Sequence, residues 1–212
     1  MTLEKLKPGA ALALAILAAI PLAYVFGDRA WATFAFQTFH ESRAPFVAMT
    51  HLVDVIDALA LAGIICSLVF FARGASFAGA RRQLVLRVSL AVFAAAGVKD
   101  VLKLAFGRTW PETWVGRNPS FISDNVFGFA PFHGGAGWAA FPSGHMAVVC
   151  AFAASLWILA PKSRPFGALA VGVVAIGLLG ADYHWLSDVL AGGLVGGLVG
   201  ALVARAEPPQ AG

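Results

Sequence analysis

Charged residues are scarce in this sequence. Aspartate, glutamate, lysine and arginine make up only 12% of the 212 residues, whereas 59% of the residues are hydrophobic. Soluble domains usually carry about 25% charged residues, so the composition excludes an ordinary soluble protein and predicts a polytopic membrane protein. The basic residues that give the net charge of +4 are scattered between apolar runs. They form no basic stripe, so we expect no nucleic-acid partner; membrane lipids with anionic headgroups are the expected contacts.

Cysteine is nearly absent. Cys66 and Cys150 both lie inside apolar runs, where buried thiols are expected rather than a disulfide or metal framework. Long apolar runs are abundant, and they predict an all-α polytopic bundle of six transmembrane helices that forms a single membrane-embedded domain. The domain covers residues 1–212, and its predicted spans are residues 9–26, 52–71, 84–106, 143–160, 166–180 and 184–203.

Two segments between the predicted spans are more polar. Residues 28–50 mix charged with aromatic side chains, a composition typical of an interfacial segment. Residues 107–140, between the third and fourth spans, form the longest predicted loop, and their tryptophan, proline and glycine content indicates a packed cap over a site. In the last span, Gly192, Gly196 and Gly200 recur every four residues and predict a small-residue face for close helix packing.

The distribution of basic residues predicts the orientation in the membrane. Most of the 15 lysine and arginine residues fall on one side of the predicted spans. Because lysine and arginine concentrate on the cytoplasmic side of membrane proteins, both termini are expected in the cytoplasm. Lys103, His145 and His184 then lie at the non-cytoplasmic ends of the third, fourth and sixth spans, so three separate motifs converge on one membrane face and the long loop is extracytoplasmic.

Residues 142–145 read Pro-Ser-Gly-His and have the features of a helix start. Proline suits the first turn, serine caps free backbone amides, and glycine leaves the N–H groups accessible. The N-terminus of a helix binds anions through such amides and through the positive end of its dipole. His145 would therefore lie beside a bound anion.

His184 and Asp188 are four residues apart and would share one face of a helix. A carboxylate in this position fixes the tautomer of the imidazole and stabilises its charged form, as a histidine base or nucleophile requires. Lys99, Lys103 and Arg108 add positive charge near the predicted membrane surface. They indicate an anion site, although snorkelling of long side chains is the simpler alternative. Together, these groups suggest phosphoryl transfer through histidine.

These motifs resemble those of the type 2 phosphatidic acid phosphatase superfamily of integral membrane lipid phosphatases. The family pattern is Lys-x6-Arg-Pro, then Pro-Ser-Gly-His, then Ser-Arg-x5-His-x3-Asp. Residues 142–145 match the second element in full, His184 and Asp188 match the end of the third, and Lys103 has the spacing of the first. The resemblance covers the chain from Lys103 towards its C-terminus, and the predicted six-span layout extends it further.

Two positions depart from the family pattern. Trp110 stands where the first element has arginine, and Gly177-Leu178 replaces the Ser-Arg pair of the third. A phosphate monoester dianion is bound best by several cationic donors, so other cations are expected to substitute. Arg108 and Lys99 are the nearest, and the altered set fits a diester or an unusual headgroup better than an ordinary monoester.

The resemblance implies a mechanism that needs no metal and no other cofactor. His184 would attack phosphorus with help from Asp188 to give a phosphohistidine, and His145 would protonate the leaving group and later activate water. The predicted site comprises the catalytic residues His184, His145 and Asp188 and the substrate-binding residues Lys103, Arg108, Ser143, Gly144 and Lys99.

The leading functional hypothesis is a membrane phosphatase in the bacterial inner membrane. It would hydrolyse a lipid phosphate of the polyprenyl, glycerophospholipid or lipid A type at the extracytoplasmic leaflet. Two alternatives stay open: a lipid phosphotransferase that uses the same histidine nucleophile, and a non-catalytic binder or transporter of lipid phosphates.

Overall fold

The computed structural model describes residues 8–74, 79–114 and 116–206. Helices dominate these residues and no β-strand occurs in them, which confirms the predicted all-α class. The α-helices are α1 (Pro8–Leu22), α2 (Asp28–Phe39), α3 (Ala44–Thr50), α4 (Leu52–Ala72), α5 (Ala80–Phe106), α6 (Phe121–Asp124), α7 (Gly144–Leu159), α8 (Arg164–Gly180) and α9 (Leu186–Arg205).

Four helical segments of the described residues are long and apolar enough to cross a membrane. They are Gly9–Ser42, Ala44–Ala72, Pro161–Gly180 and Leu186–Arg205, and they correspond to the first, second, fifth and sixth predicted spans. Helix α5 has 27 residues, about 40 Å, but it is more charged, and α7 is apolar but has only 16 residues, about 24 Å. The count of six spans therefore stays a prediction at α5 and α7.

The N-terminal helix is longer than the sequence predicts. Helix α1 continues through a π-helical turn, Ala23–Gly27, directly into α2 and the 3-10 turn His40–Ser42. The predicted interfacial segment therefore begins inside a continuous helix. Its first charged residue, Asp28, is fully buried in the protein and is not exposed to water. The predicted location of both chain termini concerns residues outside the described ranges.

Helices α7 and α9 pack with their backbones in contact. A Cβ atom added at Gly196 would lie 2.9 Å from Cα of Ala147, and one added at Gly200 would lie 2.8 Å from Cα of Ala151. Gly192 likewise faces the backbone at the start of α7. No side chain fits into so small a separation, so the glycines confirm the predicted small-residue face. This contact sets α9 in a fixed register against α7.

The start of α7, the start of α9 and the last turns of α5 meet at one end of the bundle. The N–H group of Ser143 donates to the carbonyl oxygen of Asp188 at 3.0 Å. A Cβ atom added at Gly144 would lie 3.1 Å from Cδ of Lys99 on α5. The predicted convergence of the three motifs at one end is therefore confirmed, and the membrane face to which this end points stays a prediction.

The long connection from α5 to α7 packs against the N-terminal helices and the turn before α9. Both carboxylate oxygens of Glu112 accept hydrogen bonds from Arg43 at 2.8 Å, and the Arg43 guanidinium lies 4.3 Å from the ring centre of Trp114. The indole N–H of Trp114 donates to the carbonyl oxygen of Asp182 at 3.2 Å. The connection is thus tied to the turn that carries His184.

Candidate active site

His184 lies in the turn between α8 and α9 and is only 2% exposed. Its Nδ1 atom is 3.2 Å from Oδ2 of Asp188. A carboxylate only accepts hydrogen bonds, so this contact places the ring proton on Nδ1 and leaves a lone pair on Nε2. Burial lowers the pKa of His184 below its usual value of 6.5, and the hydrogen bond to Asp188 opposes this shift. The neutral ring has the form of a nucleophile.

Asp188 is fully buried in the first turn of α9. Besides His184, it accepts hydrogen bonds from the backbone N–H of Trp185 at 3.3 Å and from Nη1 of Arg108 at 2.5 Å. The contact to Trp185 is half of a capping box, which satisfies a free amide at the start of the helix. One carboxylate therefore both caps α9 and orients the imidazole of His184.

His145, the second residue of α7, faces His184 across the site. The ring centres are 6.5 Å apart, and the ring planes are inclined by 70°. In a productive complex, phosphorus lies about 3–3.5 Å from the attacking nitrogen, and the leaving oxygen lies about 2.6–3.2 Å from the proton donor. A phosphate group with these two contacts fits between the rings. The arrangement can hold one phosphorus atom between the two imidazoles.

Two lysines bring positive charge to the same place. The Lys103 ammonium donates to the carbonyl oxygen of Ala139 at 2.6 Å, and its charge acts on both imidazoles. The stem of Lys99 crosses Gly144, and its ammonium pairs with Asp100 at 2.6 Å. Lys99 and Lys103 therefore lie near the N-terminus of α7, where backbone amides and the helix dipole also favour an anion.

Ser143 is a predicted substrate ligand, and its contacts are those of a structural residue. Its backbone N–H is bound to the carbonyl oxygen of Asp188, and its hydroxyl oxygen accepts from the N–H of Met146 at 3.5 Å. The backbone N–H of Ser143 therefore already has an acceptor within the protein and is not free to bind a phosphate oxygen. The first amides inside a helix have no acceptor within the helix, so Gly144 and His145 are the residues of this turn whose N–H groups suit a phosphate oxygen.

Arg108 is also a predicted substrate ligand, but both of its terminal nitrogens are bound by carboxylates. Nη1 donates to Asp188, and Nη2 donates to Asp28 at 2.7 Å. The guanidinium is fully buried. Gly107, with φ of +55°, ends α5 in the left-handed region and turns the chain inward, and a Cβ there would overlap the backbone of Ala130. Spacing along the chain does not predict this turn, which directs Arg108 into the protein and away from the position of a substrate ligand.

The two positions that depart from the family pattern, Trp110 and Leu178, lie in apolar surroundings or against a ring, and neither brings a positive charge to the site. The ring of Trp110 lies 4.9 Å from that of His184 with an inclination of 46°, and its N–H donates to the carbonyl oxygen of Ala136 at 2.8 Å. Leu178 is fully buried in the apolar core beside Val174. The ring of Trp110 therefore packs against His184 at the position where the family pattern has an arginine.

Three residues near His184 carry no signal in the sequence motifs. Asp28 and Ser187 hydrogen-bond one another and Arg108. Asp182 is 2% exposed, and burial, together with the nearby Glu112, raises the pKa of its carboxyl group to about 8. A carboxylate beside an apolar helix usually has a function or a partner. The position of Asp28 directly after the apolar run of residues 9–26 is the sequence feature that could have indicated its role.

Fold and site together define a membrane protein of α-helices with two facing histidines, one in the first turn of α7 and one in the turn before α9, where a carboxylate orients it. The family model of the PAP2 superfamily matches residues 84–210. The chain therefore belongs to the PAP2 superfamily, as its motifs indicate.

The chain is also similar to two curated proteins. It is 38% identical over 96 residues to the lipid A 1-phosphatase of Rhizobium johnstonii and, to the same extent, to the lipid A 1-phosphatase of Rhizobium etli. Each match covers 44% of this chain and 35% and 37%, respectively, of the relatives. The matched region thus spans little more than a third of each relative. No solved structure matches the chain.

Proposed function

We propose that the protein is a membrane phosphatase that hydrolyses a lipid phosphate through a phosphohistidine intermediate. The observation that carries this proposal is the pair of imidazoles, His145 and His184, whose centres are 6.5 Å apart, with the second bound to Asp188. A lone pair on one ring and a proton on the other are what a two-step displacement at phosphorus needs.

In the first step, Nε2 of His184 attacks phosphorus and the bond from phosphorus to the leaving oxygen breaks. His145, in its protonated form, gives a proton to that oxygen, so the lipid leaves as an alcohol. Positive charge develops on the His184 ring as the P–N bond forms, and Asp188 stabilises this charge.

In the second step, water attacks the phosphohistidine. His145, now neutral, accepts a proton from the water, and the P–N bond breaks with its electron pair returning to His184. The products are inorganic phosphate, the free imidazole of His184 and the protonated form of His145, which is ready for the next turnover. Lys99, Lys103 and the Gly144 amide hold the non-bridging oxygens on which negative charge is spread in the transition state.

The substrate proposed is a lipid phosphate of the polyprenyl, glycerophospholipid or lipid A type. Membership of the PAP2 superfamily supports a phosphate on a lipid, and the names of the two relatives make the phosphate of lipid A the first to test. Because the relatives come from bacteria, we assign the chain to the inner membrane. The distribution of lysine and arginine supports an orientation with the site towards the periplasm and both termini in the cytoplasm.

Purified protein in detergent, assayed for free phosphate with a panel of these lipids, tests the proposal. His184→Ala is expected to abolish release, since no other group replaces the nucleophile. His51→Ala is the matched control: this exposed histidine pairs with Asp54, and its loss should leave turnover within about twofold of wild type, as is usual for surface substitutions. Addition of a chelator should also leave turnover unchanged, because we assign no step to a metal.

Two outcomes would favour other functions, and a third would contradict the mechanism. Transfer of phosphate to an added lipid or sugar alcohol without free phosphate would identify a phosphotransferase. Binding of a lipid phosphate without turnover, equally in wild type and His184→Ala, would identify a binder or transporter. Loss of activity in the chelated enzyme would contradict the metal-independent mechanism.

A further inference from the structure

Asp28 is a fully buried carboxylate on a part of the chain that the family match does not cover. It follows the π-helical turn Ala23–Gly27 and begins α2, whereas the match begins at residue 84. π-helical turns are rare and occur frequently at functional sites. Here the turn directly precedes Asp28, whose carboxylate contacts the start of α9 beside the candidate active site.

The two oxygens of Asp28 bind three donors. Oδ1 accepts the backbone N–H of Ser187 at 2.9 Å, and Oδ2 accepts the Ser187 hydroxyl at 2.6 Å. Oδ2 also accepts Nη2 of Arg108 at 2.7 Å. The Ser187 amide lies in the first turn of α9 and has no acceptor within the helix. Asp28 therefore satisfies the start of α9 from a different helix.

Arg108 joins Asp28 to the catalytic carboxylate. Its Nη1 atom donates to Asp188 and, at 2.7 Å, to the hydroxyl oxygen of Ser187. Aromatic rings surround the guanidinium, with ring centres 4.9–5.4 Å away. Those rings belong to Tyr24, Phe127, Phe129 and Trp185. In so dry an environment a guanidinium stays where its carboxylates hold it, because an unpaired buried charge is strongly unfavourable.

The charges of this network are not balanced. Asp28 and Asp188 carry two negative charges and Arg108 carries one positive charge, so one negative charge is left beside His184. Attack on phosphorus places positive charge on that ring, and the excess negative charge favours it. The positive charges of Lys103 and Arg108 oppose protonation of His184. The one other titratable group among the described residues that faces the ring across the site is His145.

We propose that Asp28 is a positioning residue of the phosphoryl-transfer site. It fixes Ser187 and Arg108, and through Arg108 it holds Asp188 where Asp188 orients His184 and supports the charge on its ring. Arg108 then serves the nucleophile and does not bind the phosphate group. The inference rests on the proposed function, since it assigns a role in the same reaction.

Asp28→Asn tests the proposal with little change of shape. The buried charge of Arg108 takes the Asn oxygen as its acceptor, so the NH2 group meets the backbone N–H of Ser187, which loses its partner. We expect kcat to fall about 10- to 100-fold, by analogy with residues that orient a metal-binding histidine, because Asp28 acts on His184 in the same indirect way. KM should stay within about twofold, because Asp28 does not touch the substrate, and Asp28→Glu should restore part of kcat. Glu41→Gln, which removes an exposed charge from the same N-terminal region, is the control and should behave as wild type.

A second readout does not depend on turnover. In ¹⁵N-histidine NMR spectra of the full chain in detergent, the titration midpoint of His184 should move to lower pH in Asp28→Asn, because one negative charge is lost nearby. His184→Ala assigns the resonance. An unchanged midpoint would overturn the proposal, as would a kcat equal to that of Glu41→Gln or a loss seen only in KM. If the wild type released no phosphate from any lipid, the proposed function would fail, and the NMR titration would still decide the role of Asp28.

Discussion

Replacing Asp188 by asparagine tests whether a carboxylate sets the tautomer of His184. In the wild type, one oxygen of Asp188 binds Arg108 at 2.5 Å, and the other binds Nδ1 of His184 at 3.2 Å and the N–H of Trp185 at 3.3 Å. Asparagine has the same shape, but one of its ends is an NH2 group, which donates and does not accept. Whichever way the amide turns, its NH2 group meets a donor.

The buried positive charge of Arg108 decides the orientation, since it needs the amide oxygen. The NH2 group then faces His184, whose Nδ1 atom must become the acceptor. The ring proton moves to Nε2, the atom that attacks phosphorus in the proposed mechanism, and this atom loses its lone pair. The same exchange in a catalytic histidine–aspartate pair of a serine protease lowers kcat by about 10⁴. We therefore expect a loss of about 10³- to 10⁴-fold, which corresponds to roughly 4–5.5 kcal/mol of barrier.

The measurement is phosphate release by purified Asp188→Asn, wild type and Glu41→Gln in the same detergent, with the lipid phosphate that the wild type hydrolyses fastest. KM should change by less than about threefold, because Asp188 is buried behind His184 and does not face the substrate. A folded Asp188→Asn variant with kcat within tenfold of wild type would refute the argument from the tautomer, provided that Glu41→Gln is unaffected.

Two further predictions concern pH and packing. The acidic limb of the kcat/KM profile should have its midpoint below pH 6.5, because burial lowers the pKa of His184 and only the neutral ring attacks phosphorus; a midpoint above pH 6.5 would contradict this assignment of the nucleophile. Gly196→Val should lower the melting temperature by several degrees, since its Cβ would lie 2.9 Å from Cα of Ala147 and overpacking of this kind costs about 1–3 kcal/mol. Gly197→Val is the matched control, because nothing lies within 4 Å of an added Cβ there, and equal melting temperatures of the two variants would contradict close packing of α7 against α9.

Local patterns were enough to predict the class of the protein and the contact between His184 and Asp188 in its candidate site. Apolar runs identify membrane helices because a span needs about 20 apolar residues in sequence, whatever packs around them. The spacing of His184 and Asp188 predicts a contact on one face of a helix. The contact forms, but His184 lies in the turn before α9 and meets Asp188 in the first turn of that helix. The glycines of α9 are predictable because their period is that of the helix itself.

The contacts of Arg108, Ser143 and Asp28 were decided only by the tertiary structure. Asp28 and Ser187 are 159 residues apart in sequence, and Arg108 lies 80 residues from each of its carboxylate partners. No local period joins such residues, so their meeting depends on how α2, the connection after α5 and α9 pack together. A charged side chain in a sequence can bind a substrate or be neutralised by a partner in the fold, and the difference is set by which opposite charges the packing brings within hydrogen-bonding distance.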